Sequence, residues 1–311
     1  MGGTSTEVSS SRYDWSDGAT VTRRSAASYA AVDRREYTGY TSRGLKPPKN
    51  IDMSTESLYP EIIILDVTGS MRHMPKLFLE KLSVLYEEVN AVLQGYGPEE
   101  MKNKKGGIPD ELALNIIAVG DAYCDNHPLQ VTGFQKRAGL VNEINKIYPE
   151  GGGGGTIKES YELGLYYALK HCKTPNVPEG TKPLCVVFGD EAFYDRVNRN
   201  QVRDLIGDTL EDELYTTDVI KKLSRRFEIY VLRPELSYSE SEYRQIHTTW
   251  ENALGPERVK KLEHPERVVD TIVGLNAMIS DNWEKGVKIL KRRQTEAQVN
   301  EVIRALHPSV K

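Results

Sequence analysis

Cysteine is scarce in this chain of 311 residues; Cys124, Cys172 and Cys185 are the only three. An odd, sparse set cannot staple a disulfide scaffold and suits a reducing compartment, so a cytoplasmic location is expected. Long apolar runs are also missing, and none approaches the roughly 18 residues of a membrane span. The opening stretch MGGTSTEVSSSRYDW has no apolar leader segment, so export by that route is not expected. The body lacks positive charge: residues 60–284 hold 26 basic and 36 acidic side chains, a balance of -10 within a net charge of -4. Such a surface does not displace phosphate counterions, which argues against nucleic acid as a partner. Only residues 285–311, with 7 basic and 2 acidic side chains, could take that role.

Several catalytic signatures are absent too. The glycine run in GGGGGTIKES is not followed by Gly-Lys-Ser/Thr, so it is not a phosphate-binding loop. Asp66 has Thr68 two positions on, where a phosphoryl-accepting aspartate would need a second Asp. Cys124, Asp125 and His127 lie close together in sequence, but no second ligand pair completes a structural zinc site. Six scattered histidines assemble no Ser-His-Asp or Cys-His arrangement.

What is present falls into three parts. Residues 1–56 are rich in Ser, Thr, Arg, Ala and Tyr with no apolar period, and are expected to form a mobile arm and linker ending near GLKPPKN. Residues 57–284 alternate apolar runs with helical patterns. The runs at 61–65, 112–123 and within KPLCVVFGDEAF read as long strands, PLQVTGF as a short antiparallel edge strand, and 74–93 as one helix. Further helices are expected over LVNEINKIY and about 158–172, then a helix and strand in TTDVIKKLSRRFEIYVLRPE, and a short strand and helix in 258–279. Uniformly apolar strands alternating with helices predict an α/β, Rossmann-like three-layer sandwich. Its central sheet would be mostly parallel, with helices on both faces. Residues 285–311 read as a basic helical tail with an apolar stripe at Val299, Val302, Ile303 and Leu306.

In an open α/β sheet, ligands collect beyond the carboxyl ends of the strands. The first long strand runs into Asp66-Val67-Thr68-Gly69-Ser70, the second ends near Asp121, and the third ends at Gly189-Asp190-Glu191. Thr156 follows the run Gly151–Gly155, whose missing Cβ atoms would let backbone approach an ion. Asp66, Thr68, Ser70, Thr156 and Asp190 would then converge on one edge. An all-oxygen set of this kind favours Mg²⁺ or Mn²⁺ over zinc or copper. Asp121 and Glu191 read as supporting or surface acids, His73 as a surface residue at a helix start, and Met74 as core packing.

With these residues in place, the sequence resembles the von Willebrand factor A domain, shared with integrin inserted domains. That family's metal-ion-dependent adhesion site is written D-x-S-x-S, then a Thr in a later loop, then an Asp after the fourth strand. Here DVTGSM fills the first element with Thr68 in place of a serine, GGGGGT supplies Thr156, and FGDE supplies Asp190. The resemblance covers roughly residues 58–284. It implies that Thr68, Ser70 and Thr156 offer hydroxyls to the ion, and that Asp66 and Asp190 act directly or through water. It further implies a protein-interaction module whose partner presents an Asp or Glu carboxylate to the ion. Intracellular members often sit in larger assemblies, for example beside AAA+ ATPases. Two other functions remain open from the sequence. One is a structural subunit that binds through its N-terminal arm. The other is a metal-dependent hydrolase, for which Asp121 or Glu191 would have to serve as base.

Overall fold

Four consecutive aliphatic residues, Ile62 to Leu65, are fully buried because the strand that carries them lies inside a six-stranded sheet. This computed structural model describes residues 45–71, 73–150, 156–234 and 239–307. The expected mobile arm up to residue 44 and the glycines 151–155 lie outside the described residues.

The sheet strands are β1 (Tyr59–Asp66), β2 (Leu112–Val119), β3 (Leu129–Val131), β4 (Leu184–Phe188), β5 (Glu228–Pro234) and β6 (Val259–Leu262). They run in the order β6-β5-β4-β1-β2-β3. All pairs are parallel except β2–β3, so the expected antiparallel edge strand is there. β-Branched Ile62, Ile63 and Ile64 suit a pleated strand, and burial on both sides removes any need for polar alternation.

The helices covering the sheet are α1 (Met74–Glu80), α2 (Leu82–Leu93), α3 (Arg137–Ile144), α4 (Tyr161–His171), α5 (Thr216–Leu223), α6 (Glu240–Leu254), α7 (Val268–Ile279), α8 (Trp283–Leu290) and α9 (Glu296–Leu306). Successive residues of β1 point to opposite faces. Ile63 and Leu65 join a core with Phe78, Leu85, Ile144, Ile272 and Val299, from α1, α2, α3, α7 and α9. Ile62 and Ile64 join a second core with Leu165, Ile220, Ile246 and Trp250, from α4, α5 and α6. The result is the three-layer α/β sandwich expected from the pattern. Each fully buried aliphatic side chain is worth about 1.5–3 kcal/mol, so β1 alone anchors both layers. Gly164 lets α4 lie close to the sheet, since a Cβ there would meet Val119, Ile64 and Ile117 at 3.0–3.4 Å.

Several element boundaries differ from the sequence pattern. The expected helix over 74–93 is divided at Lys81, a buried lysine whose Nζ donates to the Glu266 carbonyl at 2.9 Å. The expected helix at 158–172 starts at Tyr161, because Lys158–Glu159 instead pairs as a short strand with Ala192–Phe193. Helix α6 had no counterpart in the sequence pattern.

The segments flanking the expected domain are drawn into the body. Met53–Ser54 pairs with Cys172–Lys173, and Tyr167 donates to the Ile51 carbonyl at 2.8 Å. The basic stretch from residue 285 forms α8 and α9, which bury Ile289, Leu290, Val299, Val302 and Leu306 in the first core. Arg293 there is paired with Glu88 and with Asp270, both at 2.6 Å and all three nearly inaccessible.

Candidate metal centre

Strand order reverses between β1 and β4, whose carboxyl ends lie side by side with Leu65 opposite Phe188. That reversal opens the crevice in which α/β sheets place ligands. Asp66 is the last residue of β1 and Asp190 lies two residues past β4, so both carboxylates reach the same crevice. Both are fully buried.

Beyond Asp66 the chain turns at once. Asp66 Oδ1 accepts from the Thr68 backbone N–H at 2.8 Å and from the Thr68 hydroxyl at 2.6 Å. This is the local side-chain-to-backbone bond by which aspartate forms turns. The turn brings Ser70 Oγ to 3.1 Å from Thr68 Oγ1, and Ser70 donates to Asp190 Oδ1 at 3.0 Å. Asp66, Thr68, Ser70 and Asp190 therefore form one continuous string of oxygens.

Proton counting shows what this string lacks. Each hydroxyl has one proton. With both carboxylates ionised, Thr68 spends its proton on Asp66 and Ser70 spends its own on Asp190. No proton remains for the 3.1 Å contact between the two hydroxyl oxygens, whose lone pairs then face each other. A hard cation satisfies such a set, and the mixture of carboxylate and hydroxyl oxygen fits Mg²⁺ or Mn²⁺.

Electrostatics agree with that fit. Burial, and then the charge of Asp190, push the Asp66 carboxyl up to about 7, against hydrogen bonds from Thr68 and Tyr161 that lower it. Burial pushes Glu159 up to about 10, reinforced by the charges of Asp66, Glu191, Asp121 and Asp125. The crevice thus carries more negative charge than burial tolerates, and positive charge arriving there is favoured.

Thr156 stands apart from the string. It is exposed, and its hydroxyl donates to the Lys158 carbonyl at 3.0 Å and accepts from the Lys158 N–H at 3.3 Å. The nearby Tyr194 hydroxyl donates to both oxygens of Asp121 at 3.2 Å. Among the described residues no hydrogen bond ties Thr156 to the other four. Asp121 is further held by the Tyr123 N–H at 3.0 Å, so it fastens its own loop. Cys124 contacts Asp121 and Asp125, whereas His127 pairs with Glu150 at 3.2 Å. Among the described residues no three His, Cys, Asp or Glu side chains are grouped to hold a metal. The string itself holds only two carboxylates, with hydroxyls supplying the rest. His73 is exposed at the start of α1 and Met74 is buried in the core.

Three further residues shape the site without any motif announcing them. Tyr161, at the start of α4, donates its hydroxyl to Asp66 Oδ2. Gly189 makes room for that ring, because a Cβ there would overlap the Tyr161 hydroxyl. Arg233, fully buried at the end of β5, donates to the Asp190 carbonyl at 2.9 Å. In sequence, a tyrosine on a helix and an arginine ending a strand look like ordinary packing and surface residues.

No protein-family model matches the chain, and no curated protein sequence does. Among solved structures, similarity extends to the pilus adhesin SpaC from Lactobacillus rhamnosus GG, at 13% identity and TM-score 0.45 over 76% of this chain and 32% of that one. It extends also to proximal thread matrix protein 1 from the mussel byssus, with a zinc-occupied MIDAS motif, at 12% identity and TM-score 0.39 over 73% and 47%. A von Willebrand factor type A protein from Catenulispora acidiphila is similar at 14% identity and TM-score 0.35, over 76% and 47%. The chain thus spans about a third to a half of the length of these structures.

Proposed function

We propose that this chain is a metal-dependent protein-interaction module of the von Willebrand factor A kind. Its ion, Mg²⁺ or Mn²⁺, is held by Asp66, Thr68, Ser70 and Asp190, with Thr156 the further hydroxyl ligand that the resemblance implies. The observation that carries this reading is the unbroken string of four oxygen-bearing side chains at the strand-order reversal, two buried carboxylates bridged by two hydroxyls 3.1 Å apart. When bound, the ion supplies an electrophilic centre, since Thr68 and Ser70 contribute neutral oxygens and leave it able to take a further anionic ligand. A carboxylate from a partner's Asp or Glu is the ligand that gains most from it. The use of Asp121 to fasten Tyr123 and Tyr194 supports binding over catalysis, since it leaves that acid poorly placed to act as a base. Three free cysteines suit work in the cytoplasm.

The test is capture of partners by the full chain across a salt series, with and without EDTA. Binding should vanish with EDTA and respond weakly to salt, because the local field of the ion outweighs a general repulsion screened over roughly 8 Å. Capture that ignores EDTA and falls steeply with salt would point instead to a nucleic-acid or purely electrostatic contact and would contradict this function.

A further inference from the structure

Behind the metal centre, helix α6 turns one face inward. Tyr243, Ile246, His247 and Trp250 follow the spacing that places residues on one side of a helix, and Ile246 and Trp250 are fully buried. One contact leads directly from this face to the loop after β4, and a second route runs through Arg233. The Trp250 indole N–H donates to the Glu191 carbonyl at 2.9 Å. Arg233 donates one guanidinium nitrogen to the Asp190 carbonyl at 2.9 Å, and its other lies 3.3 Å from His247 Nδ1 and 3.4 Å from the Tyr243 carbonyl. The guanidinium also lies over the Tyr243 ring, 4.4 Å from its centroid. Because a guanidinium only donates, His247 Nδ1 accepts, and its Nε2 faces Glu251 at 3.4 Å.

Two consecutive carbonyls, those of Asp190 and Glu191, are thus gripped by two side chains braced on or belonging to one helix. Pinning the carbonyls of two successive peptide units restrains the backbone immediately after the Cα from which the Asp190 side chain leaves. Trp250 reaches the other carboxylate as well. Its ring meets Tyr161 edge-on at 5.6 Å, and the Tyr161 hydroxyl donates to Asp66. Phe193 packs against the same indole at 4.7 Å and holds it in place.

We propose that Arg233 and Trp250 are positioning residues of the metal centre, through which the inner face of α6 sets the Asp66 and Asp190 carboxylates for the ion. The proposal rests on the metal-binding reading of those carboxylates. Groups that orient ligands from behind commonly change metal affinity by about 10–100-fold when removed. Trp250→Phe is the cleaner variant, because it removes one neutral N–H and keeps an aromatic ring. Changing Arg233 would also alter the charge beneath the site.

The experiment is Mg²⁺ titration of the whole protein, followed by calorimetry and by the indole N–H resonances of Trp15, Trp250 and Trp283. Loss of one peak in the Trp250→Phe variant assigns that peak. The Trp250 resonance should move with Mg²⁺ at the calorimetric midpoint. The variant should bind Mg²⁺ about tenfold more weakly, even after its denaturation midpoint in EDTA shows it folded. A purely structural Trp250 would lower that midpoint without changing the affinity. An unmoved indole resonance at saturating Mg²⁺, or unchanged affinity in the folded variant, overturns the proposal while leaving the metal centre standing. If the variant does not fold, the peaks lost in Trp15→Phe and in Trp283→Phe leave the third as that of Trp250, and its response in the unaltered protein decides. Absence of Mg²⁺ binding by the unaltered protein would overturn the metal reading, and this inference with it.

Discussion

Ser70 donates its hydroxyl to Asp190 Oδ1 at 3.0 Å, joining positions 120 residues apart in the chain. That bond closes the string from the end of β1 to the loop after β4. It exists because the two strands are neighbours in the sheet, although β2 and β3 intervene in sequence. The candidate metal centre is therefore a product of topology, assembled where the strand order reverses.

The Thr68 hydroxyl, and not its methyl group, makes the contacts that matter, bonding Asp66 and facing Ser70. Thr68→Ser should bind Mg²⁺ as the unaltered protein does. Thr68→Val keeps the shape, loses the oxygen, and should weaken binding by about tenfold or more. Calorimetry on both variants checks this, and equal affinity in the Val protein would make Thr68 a turn residue only.

Metal affinity should depend on pH through Asp66. Burial and the Asp190 charge raise its carboxyl to about 7, so a proton competes with the ion below that pH. Affinity for Mg²⁺ at pH 6 should be about tenfold weaker than at pH 8. The metal-free protein behaves oppositely. A carboxyl raised above its unfolded value keeps its proton in the fold over a window where the unfolded chain has lost it. Its contribution to stability is therefore lost as pH rises toward 7.

Glu61 offers a second titration, remote from the ion. It is the third residue of β1, nearly inaccessible, and burial pushes it up to about 8. The unfolded carboxyl loses its proton near its ordinary value of 4.5, so the fold loses stability as pH climbs from there to about 8. Glu61→Gln should remove that slope and be the more stable protein at pH 8. Urea midpoints of the two proteins across this range provide the check, and parallel profiles would contradict it.

The C-terminal helices should prove integral to the fold. Arg293 sits buried between Glu88 and Asp270, and removing one member of a buried ion group leaves the others uncompensated. Arg293→Ala should destabilise the protein by about 3–5 kcal/mol in urea unfolding. A loss within the error of the measurement would show that α8 and α9 are merely appended.

The sequence carries the layers, the strand types and the string of Asp66, Thr68, Ser70 and Asp190, because strand periodicity and turn chemistry are local properties. It conceals what depends on distant pairing. The positive charges after residue 285 suggest a solvated tail, yet Arg293 is consumed by Glu88, 205 positions earlier. Helix α6 escapes notice because only Ile246 and Trp250 of ESEYRQIHTTWENAL are fully buried, too few for a visible apolar stripe. Its start was readable all the same, since Ser239 and Glu242 form a capping box. Tyr161 could not be told from a core aromatic, because its partner carboxylate lies 95 residues away. Thr156 shows the reverse case, a residue in the expected chain order whose hydroxyl is bonded to Lys158.

The central claim is that Asp66, Thr68, Ser70 and Asp190 hold one divalent ion. Isothermal titration of Mg²⁺ and Mn²⁺ into the unaltered protein and into Asp66→Ala tests it most directly, with circular dichroism confirming that both are folded. Asp66 ends a strand at the edge of the crevice, so its loss should leave both cores intact. The account predicts binding at one site in the unaltered protein and no measurable binding in the variant. The same affinity in both proteins, or no binding in either, would contradict it.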